Sequence, residues 1–473
     1  MRNGFQRRLG DQIVRRAPRQ RTELIRIAPE KPRRAPMPPA LLLVYGFALL
    51  IAIGTVVLML PISNRSGELA DPITALFTAT SAVCVTGLTV VDTWSYWTVF
   101  GQAVILALIQ IGGLGFMMAA TVLFVALGRR VTLRERLLLR ESVGGGALGS
   151  LERLALQVVA ATFVIEFVGV IILFFGFLPY YDPPRALWHS VFHSISAFNN
   201  AGFSITENNA NLIPYQGNVI ILLPIAILVF LGGISYTVIR DVAVVRRFHQ
   251  FLLDTKLVLV VTAFLLAIGT LSIFLSELGN SLTHGSQPLW EQLLDSFFLS
   301  VSARTAGFNV QDMGQLQDYT LFVLILLMFI GGASGSTAGG IKANTFGVLV
   351  VSILASIRGR ERTEAFAREI PEDQVRRALT LGAVGIIWVN VTLFVLTILE
   401  QRDFIDLFFE TVSALGTVGL STGITPDLQP LSKIVLVVTM FMGRLGLMTI
   451  GLALAARQKR AHFRRAQERV KIG

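Results

Sequence analysis

The sequence predicts an all-α polytopic membrane protein with eight transmembrane spans, arranged as four units of span, half-buried short helix, polar loop and span. Composition is the first reason: of 473 residues, 53% are hydrophobic and only 15% charged, against about 25% charged in soluble domains. Mean hydropathy is +0.65, and several apolar runs reach the roughly 18 to 20 residues that a bilayer core requires. The second reason is a repeat. The stretches 77–88, 193–203, 299–308 and 410–420 each hold a Ser-Ala pair and then a glycine followed by Leu or Phe. These glycines, Gly87, Gly202, Gly307 and Gly419, are separated by 115, 105 and 112 residues, a period long enough to mark a duplicated structural unit. The third reason is charge placement. With the apolar runs taken alternately in and out, 34 of the 41 Lys and Arg fall on one side, and only Arg65, Arg185, Arg402 and Lys433 on the other. That split makes the basic side, with both termini, cytoplasmic.

Taken in order, residues 1–38 are rich in Arg and Pro without an apolar period and are expected as a basic cytoplasmic arm. The first unit, 39–128, has a span over 41–60 closed by Pro61, a short helix over 73–82, a polar turn over 83–88 and a long helix over 97–127. The first run is too long for a signal-peptide core and lacks a cleavage-like end, so it reads as a retained span. The second unit, 154–239, repeats this with 154–178, 186–197, 199–202 and 218–239. The third, 257–357, gives 257–275, 289–303, 304–307 and a broken span over 319–357. The fourth, 378–456, gives 378–399, 404–414, 415–419 and 434–456, and a basic cytoplasmic tail, 457–473, closes the chain. Trp94, Trp97, Tyr180, Tyr181, Trp188, Trp290 and Tyr319 fall at the outer ends, as an aromatic belt does.

The net charge of +11 is therefore an orientation signal with some attraction to anionic membrane lipids, and no nucleic acid partner is expected. Glu68, Asp71, Asp92, Asp182, Glu207, Asp312 and Asp427 lie on the outer side. They either concentrate cations at an outer mouth or are ordinary solvated loop charge. Cys84 is the only cysteine, which excludes an intramolecular disulfide and any metal cluster held on several sulfurs.

A non-helical loop at membrane depth exposes backbone groups that lipid cannot satisfy, so it persists only when buried in protein or lining a watery cavity. Four such loops around a pseudo-fourfold axis would direct carbonyl oxygens to a common centre, as a cation filter does. Glycine supplies the backbone dihedrals and the close approach that such a loop needs. One copy alone would read more readily as small-residue helix packing; four copies, each between two spans, favour the filter. The candidate filter residues, with a cation bound among them, are Val85, Thr86, Gly87, Asn200, Ala201, Gly202, Thr305, Ala306, Gly307, Thr417, Val418 and Gly419. The third copy is one residue shorter between Ser302 and Gly307 than the first is between Ser81 and Gly87.

The last span of the third unit is exceptional. Its apolar start, 319–330, would make only about 18 Å of helix, and then come Gly331, Gly332, Ala333, Ser334, Gly335, Ser336, Thr337, Ala338, Gly339, Gly340, Ile341 and Lys342. The helix must break inside the membrane, and interrupted spans mark ion pathways. A phosphate-binding loop is the competing reading, but Ile341 stands between Gly340 and Lys342, which departs from G-x-x-x-x-G-K.

These segments resemble the Trk/Ktr/HKT superfamily of potassium transporters over nearly the whole chain, from 39 to about 456. A single span before the first loop is most similar to the Ktr-type membrane subunit (KtrB). The resemblance implies a homodimer with one K⁺ pore per subunit, regulated by a KtrA-like octameric ring of cytosolic RCK-domain subunits in a prokaryotic plasma membrane. It implies K⁺ as the transported ion, with Na⁺ as a further candidate; some relatives carry serine at the first filter glycine and pass Na⁺ more readily, whereas Gly87 is present here. It also implies that Gly331, Gly332, Ser334, Gly335, Ser336, Thr337, Gly339, Gly340 and Lys342 form an intramembrane gating loop, with Arg444 projecting into the pore beneath the filter.

A charge at mid-span must face a cavity, a carboxylate or carbonyls, so Arg444 could instead pair with Glu166, which is also mid-span. Asp295 and Glu410, on the short helices, would either support the filter backbone or cap helices, and Arg304 would brace the third loop from behind. Two other functions fit less well. An alternating-access secondary cation transporter also uses broken helices, but predicts one midplane site built from paired repeats. A membrane enzyme would need a polar catalytic cluster, and none of His189, His193, His249, His284 or His462 stands beside a nucleophile on a cytoplasmic span.

Overall fold

Apolar helices and the short polar helices between them dominate the computed structural model, which describes residues 39–126, 147–283 and 287–446. The expected arm 1–38, the tail 457–473, the end of the fourth unit beyond 446 and most of the basic loop at 129–153 lie outside the described residues. In the segment up to 126, α1 (Pro39–Met59), α2 (Pro72–Val83) and α3 (Val99–Ala126) follow one another. Next come α4 (Ala147–Phe177), α5 (Pro183–Phe198), α6 (Val219–Gly233) and α7 (Tyr236–Val245). Then follow α8 (Leu253–Ser276), α9 (Leu289–Ser302), α10 (Asp318–Phe329) and α11 (Ala343–Ile357). A two-stranded hairpin pairing Glu364–Ala365 with Arg368–Glu369 precedes α12 (Glu372–Leu399), α13 (Phe404–Gly416) and α14 (Pro430–Leu445).

Among the described residues, five helices are long and apolar enough to cross a membrane, or up to six if the bent pair α6 and α7 counts as one span. Most of the span windows of α1, α4, α8 and α12 are not buried, each being one third buried or less, whereas the α3 window is 50% buried. Exposed Leu49, Phe167, Phe264 and Phe394 on those four helices make an apolar outer surface suited to lipid, while the short helices line the interior. Each expected short helix forms. Asp71 caps α2, its Oδ2 accepting from the Thr74 amide at 2.9 Å, and Pro72 follows it, the sequence signature of a helix start.

Two expectations need correction. The run 218–239 is not one continuous helix, because α6 stops at Gly233 and α7 restarts at Tyr236 with a 98° bend between them. Ile234 is extended there, and the Ser235 hydroxyl caps the new helix by accepting from the Val238 amide at 3.4 Å. Trp97 is not part of an interfacial belt. It is fully buried and its backbone bridges to Asn64. Tyr180, Trp290 and Tyr319 are exposed, as the belt requires.

The buried clusters link successive segments. One holds Phe77 and Leu108 together with Phe203 and with Leu436 and Met440. A second joins Phe177 and Ile221 to Phe298 and Phe308, and a third joins Leu324 and Met328 to Phe409 and Val412.

Candidate functional site

Each short helix ends just before one of the four glycines: α2 at Val83, α5 at Phe198, α9 at Ser302 and α13 at Gly416. The negative end of each helix dipole is thus delivered to the same region, which favours a cation there. All four glycines have positive φ, +92° at Gly87, +68° at Gly202, +78° at Gly307 and +97° at Gly419. So does the residue two positions earlier in each copy: Val85 (56°), Asn200 (58°), Thr305 (78°) and Thr417 (49°). Three of these four are β-branched, for which this conformation is a true outlier; such strain gathers at functional sites.

The glycines meet in cyclic order. A Cβ at Gly87 would overlap the Ala201 carbonyl oxygen and stand 3.0 Å from the Gly202 Cα. One at Gly202 would stand 2.7 Å from the Ala306 oxygen and 2.9 Å from the Gly307 Cα. At Gly307 it would overlap the Val418 oxygen and stand 3.1 Å from the Gly419 Cα, and at Gly419 it would overlap the Thr86 oxygen and stand 3.0 Å from the Gly87 Cα. The candidate residues from four separate parts of the chain therefore lie in one place.

The serine of each Ser-Ala pair anchors its loop. Backbone oxygens of Ser81, Ser196, Ser302 and Ser413 accept from Thr86, Ala201, Ala306 and Val418 at 2.8, 2.8, 2.8 and 2.9 Å. The Ser81 and Ser413 hydroxyls accept from the Gly87 and Gly419 amides, both at 3.1 Å. The Ser196 hydroxyl donates to the Phe203 carbonyl at 2.8 Å, and the Ser302 hydroxyl to that of Phe308. The shorter third copy makes the same backbone anchor across a turn one residue tighter.

The break after α10 falls where expected. Between Phe329 and Ala343 the chain satisfies its backbone through other protein groups, as a non-helical segment at membrane depth must. The Gly331 amide donates to the Ile341 carbonyl at 2.8 Å, and the Ala343 amide to that of Gly332 at 2.9 Å. Ser336 and Ser334 hydroxyls donate to the Ala333 carbonyl at 2.7 Å and to Asn344 Oδ1 at 3.0 Å. Lys342 Nζ donates to the Ala338 carbonyl. Gly335 and Gly340 supply positive φ. The segment lies against the glycine copies: a Cβ at Gly339 would overlap the Thr417 hydroxyl, and one at Gly340 would stand 3.3 Å from the Gly416 Cα.

Thr337 is the hub of this packing. Its hydroxyl donates to the Gly232 carbonyl at 2.8 Å and lies 3.3 Å from the Phe198 carbonyl and 3.5 Å from Asn200 Oδ1. Its amide donates to the Gly232 carbonyl at 3.1 Å, and the Ala333 amide to that of Gly233 at 2.9 Å. The α6–α7 bend thus presents two carbonyls to the segment. Sequence reasoning missed this second break, since 218–239 is dominated by apolar residues; the signal was Gly232-Gly233 with Ser235 two residues on.

Arg444 is 1% exposed. It donates from Nη1 to the Thr337 carbonyl and from Nη2 to that of Gly112 at 3.1 Å, with its guanidinium 4.6 Å from the Phe116 ring centre. Among the described residues it has no carboxylate partner. The pairing with Glu166 that the sequence left open does not form: Glu166 accepts from Gln110 and Asn199 instead. Arg304 donates from Nη2 to the Gly331 carbonyl at 3.2 Å, tying the third glycine copy to the broken segment. Asp295 and Glu410 hydrogen-bond neither to the N-termini of their helices nor to the filter glycines in the bonds they make here. Asp295 accepts from the Gly217 amide at 3.1 Å, and Glu410 accepts from the Ser421 hydroxyl and, at 2.8 Å, from that of Thr425, so both hold the loops beyond.

Residues 32–463 match the TrkH family model, described as cation transport protein. The chain is 44% identical over 411 residues to the Ktr system potassium uptake protein B of Bacillus subtilis, covering 87% of this chain and 92% of that protein. It is 38% identical over 446 residues to the potassium/sodium uptake protein NtpJ of Enterococcus hirae, covering 93% and 98%. The crystal structure of the potassium transporter TrkH from Vibrio parahaemolyticus superposes with a TM-score of 0.71 at 18% identity, covering 90% of this chain and 86% of that one.

Proposed function

The chain belongs to the TrkH family of cation transport proteins, and on that premise we propose that it takes up K⁺ across the plasma membrane through a carbonyl-lined filter gated by an intramembrane loop. The observation that carries this reading is the cyclic approach of Gly87, Gly202, Gly307 and Gly419, each to the backbone of the next. Four short helices ending beside it add their negative dipole ends. In this reading the protein has four pore units around a pseudo-fourfold axis, over 39–128, 154–239, 257–357 and 378–456, making eight spans with α10 and α11 as one broken span. The filter is formed by Val85 to Gly87, Asn200 to Gly202, Thr305 to Gly307 and Thr417 to Gly419.

The gate is the segment Gly331 to Lys342, held shut beneath the filter by Arg444 on one side and by the α6–α7 bend on the other. Uptake is driven by the membrane potential, at about 2.3 kcal/mol per charge per 100 mV. The names of the relatives support K⁺ as the principal ion and Na⁺ as a second one. The Ktr system relatives also support a multi-component assembly, which we take to be a homodimer on a cytosolic RCK-domain ring. Four equivalent segments meeting at one centre favour a filter over alternating access at a single midplane site. Radiotracer Rb⁺ and Na⁺ uptake into proteoliposomes, with and without a candidate RCK partner, tests the proposal. Rb⁺ should accumulate under an inside-negative potential and the partner should change its rate; potential-independent flux would overturn it.

A further inference from the structure

Glu166 is a buried carboxyl on α4, 3% exposed, and the transport reading gives it no role. Among the described residues no basic side chain pairs with it. Both of its oxygens accept from side-chain amides instead: Oε2 from Gln110 Nε2 at 3.0 Å and Oε1 from Asn199 Nδ2 at 3.1 Å. Asn199 Nδ2 also donates to Gln110 Oε1 at 2.6 Å, which closes a three-residue ring of contacts. The backbone at Glu166 is tied to α5, because its carbonyl accepts from the Ser194 hydroxyl at 2.7 Å. The inner helix α3 makes room for the ring at Gly113, where a Cβ would overlap Asn199 Oδ1.

The position of Asn199 gives this cluster its consequence. It terminates α5, its amide donating to the Ile195 carbonyl at 3.1 Å, and the next residue is Asn200. That residue holds positive φ, donates from Nδ2 to the Thr305 hydroxyl at 3.4 Å and faces the Thr337 hydroxyl. A shift of Asn199 is therefore passed directly to the second filter segment and to its contact with the third. An intramembrane ionisable group is a functional-site candidate by default, and here one of its oxygens accepts from the side chain that ends α5.

We propose that Glu166 is a positioning residue for ion selectivity: with Gln110 it fixes Asn199, and through Asn199 it sets the backbone of Asn200, Ala201 and Gly202. The inference rests on the filter reading. Glu166→Gln keeps size but replaces one acceptor oxygen by an NH₂ group, so either Gln110 or Asn199 loses its acceptor and the three-residue ring must rearrange.

The test is Rb⁺ and Na⁺ uptake by the purified, reconstituted full-length chain, with thermal melting measured alongside. Glu166→Gln should lower the Rb⁺/Na⁺ uptake ratio by about threefold or more, the order expected when a buried hydrogen-bonding partner is lost, while the melting temperature stays near that of the wild type. A purely structural role would lower the melting temperature and total flux without moving the ratio. The double variant Gln110→Glu with Glu166→Gln, which puts one carboxyl and one amide back into the cluster, should recover part of the lost ratio. A wild-type ratio in folded Glu166→Gln overturns the proposal. Should that variant not fold, Gln110→Met, which leaves Asn199 on the carboxyl, is judged by the same ratio, a smaller fall supporting the proposal and no fall overturning it. Gly87→Ser, run in parallel, separates the two levels: if it leaves the ratio unchanged the filter reading itself fails, whereas a fall with Gly87→Ser and none with the Glu166 and Gln110 variants rejects only the role of Glu166.

Discussion

Gly87 stands at φ +92° with the Ala201 carbonyl oxygen in the space a side chain would need. Two separate constraints meet there, a backbone conformation that L-residues rarely adopt and a neighbouring loop backbone too close for a Cβ. Serine at this position must move the Ala201 carbonyl, one of the oxygens assigned to the filter. Gly87→Ser should therefore lower the Rb⁺/Na⁺ uptake ratio by about tenfold, equivalent to about 1.4 kcal/mol, measured in cells lacking their own K⁺ uptake; an unchanged ratio would remove the filter assignment. Arg444 poses a different problem at the same scale. Its buried guanidinium donates to the carbonyls of Thr337 and Gly112 and so joins the broken segment to α3, a contact that the proposed gate would use as a latch. Arg444→Ala should raise Rb⁺ flux with the protein still folded and monodisperse. Loss of folded protein would show instead that the two carbonyls, at about 1–3 kcal/mol for each one left unsatisfied, need the arginine for stability.

Among the elements, the segment between α10 and α11 is where the transport reading is most exposed to test. Its backbone bonds run to itself and to the α6–α7 bend, and its glycines press on Gly416 and Thr417. Deleting two or three residues within 332–339 should raise Rb⁺ flux, because the obstruction beneath the filter is shortened while α10 and α11 remain. A fall in flux at normal expression would assign the segment to packing. The bend of 98° between α6 and α7 shows how a second break supports the first: where α6 ends, the carbonyls of Gly232 and Gly233 lose their helical partners, and the amides of Thr337 and Ala333 take them up. Each broken helix satisfies part of the other.

For the molecule as a whole, the 34 to 4 division of basic residues orients the chain, and that orientation can be checked on the protein itself. Cys84 is fully buried, so it contributes little background to thiol labelling. In intact cells a membrane-impermeant maleimide should label Ser66→Cys and leave Arg360→Cys unlabelled until the membrane is permeabilised. The reverse pattern would invert the topology and, with it, the direction assigned to filter and gate.

By itself the sequence determined the membrane class, the four glycine stretches, the short helices before them and the break after Ile330, because each leaves a local trace. Hydropathy shows spans, Asp71-Pro72 shows a helix start, and twelve consecutive residues from Gly331 to Lys342 cannot continue an apolar helix. Tertiary structure alone decided what depends on distant partners. Gly232, Gly233 and Ser235 mark a weak point in the last run of the second unit, but only the partners their carbonyls find in the broken segment show that the chain bends there, and Trp97 shares its residue type with an interfacial belt yet is buried against the chain at Asn64. Arg444 and Glu166 are opposite charges on two spans, and nothing local says that one finds carbonyls and the other amides. The third glycine copy, one residue shorter, still places Thr305 and Gly307 as the other three copies place theirs. Its register is set by the backbone of Ser302 and by the neighbouring glycine segments, and a sequence records neither.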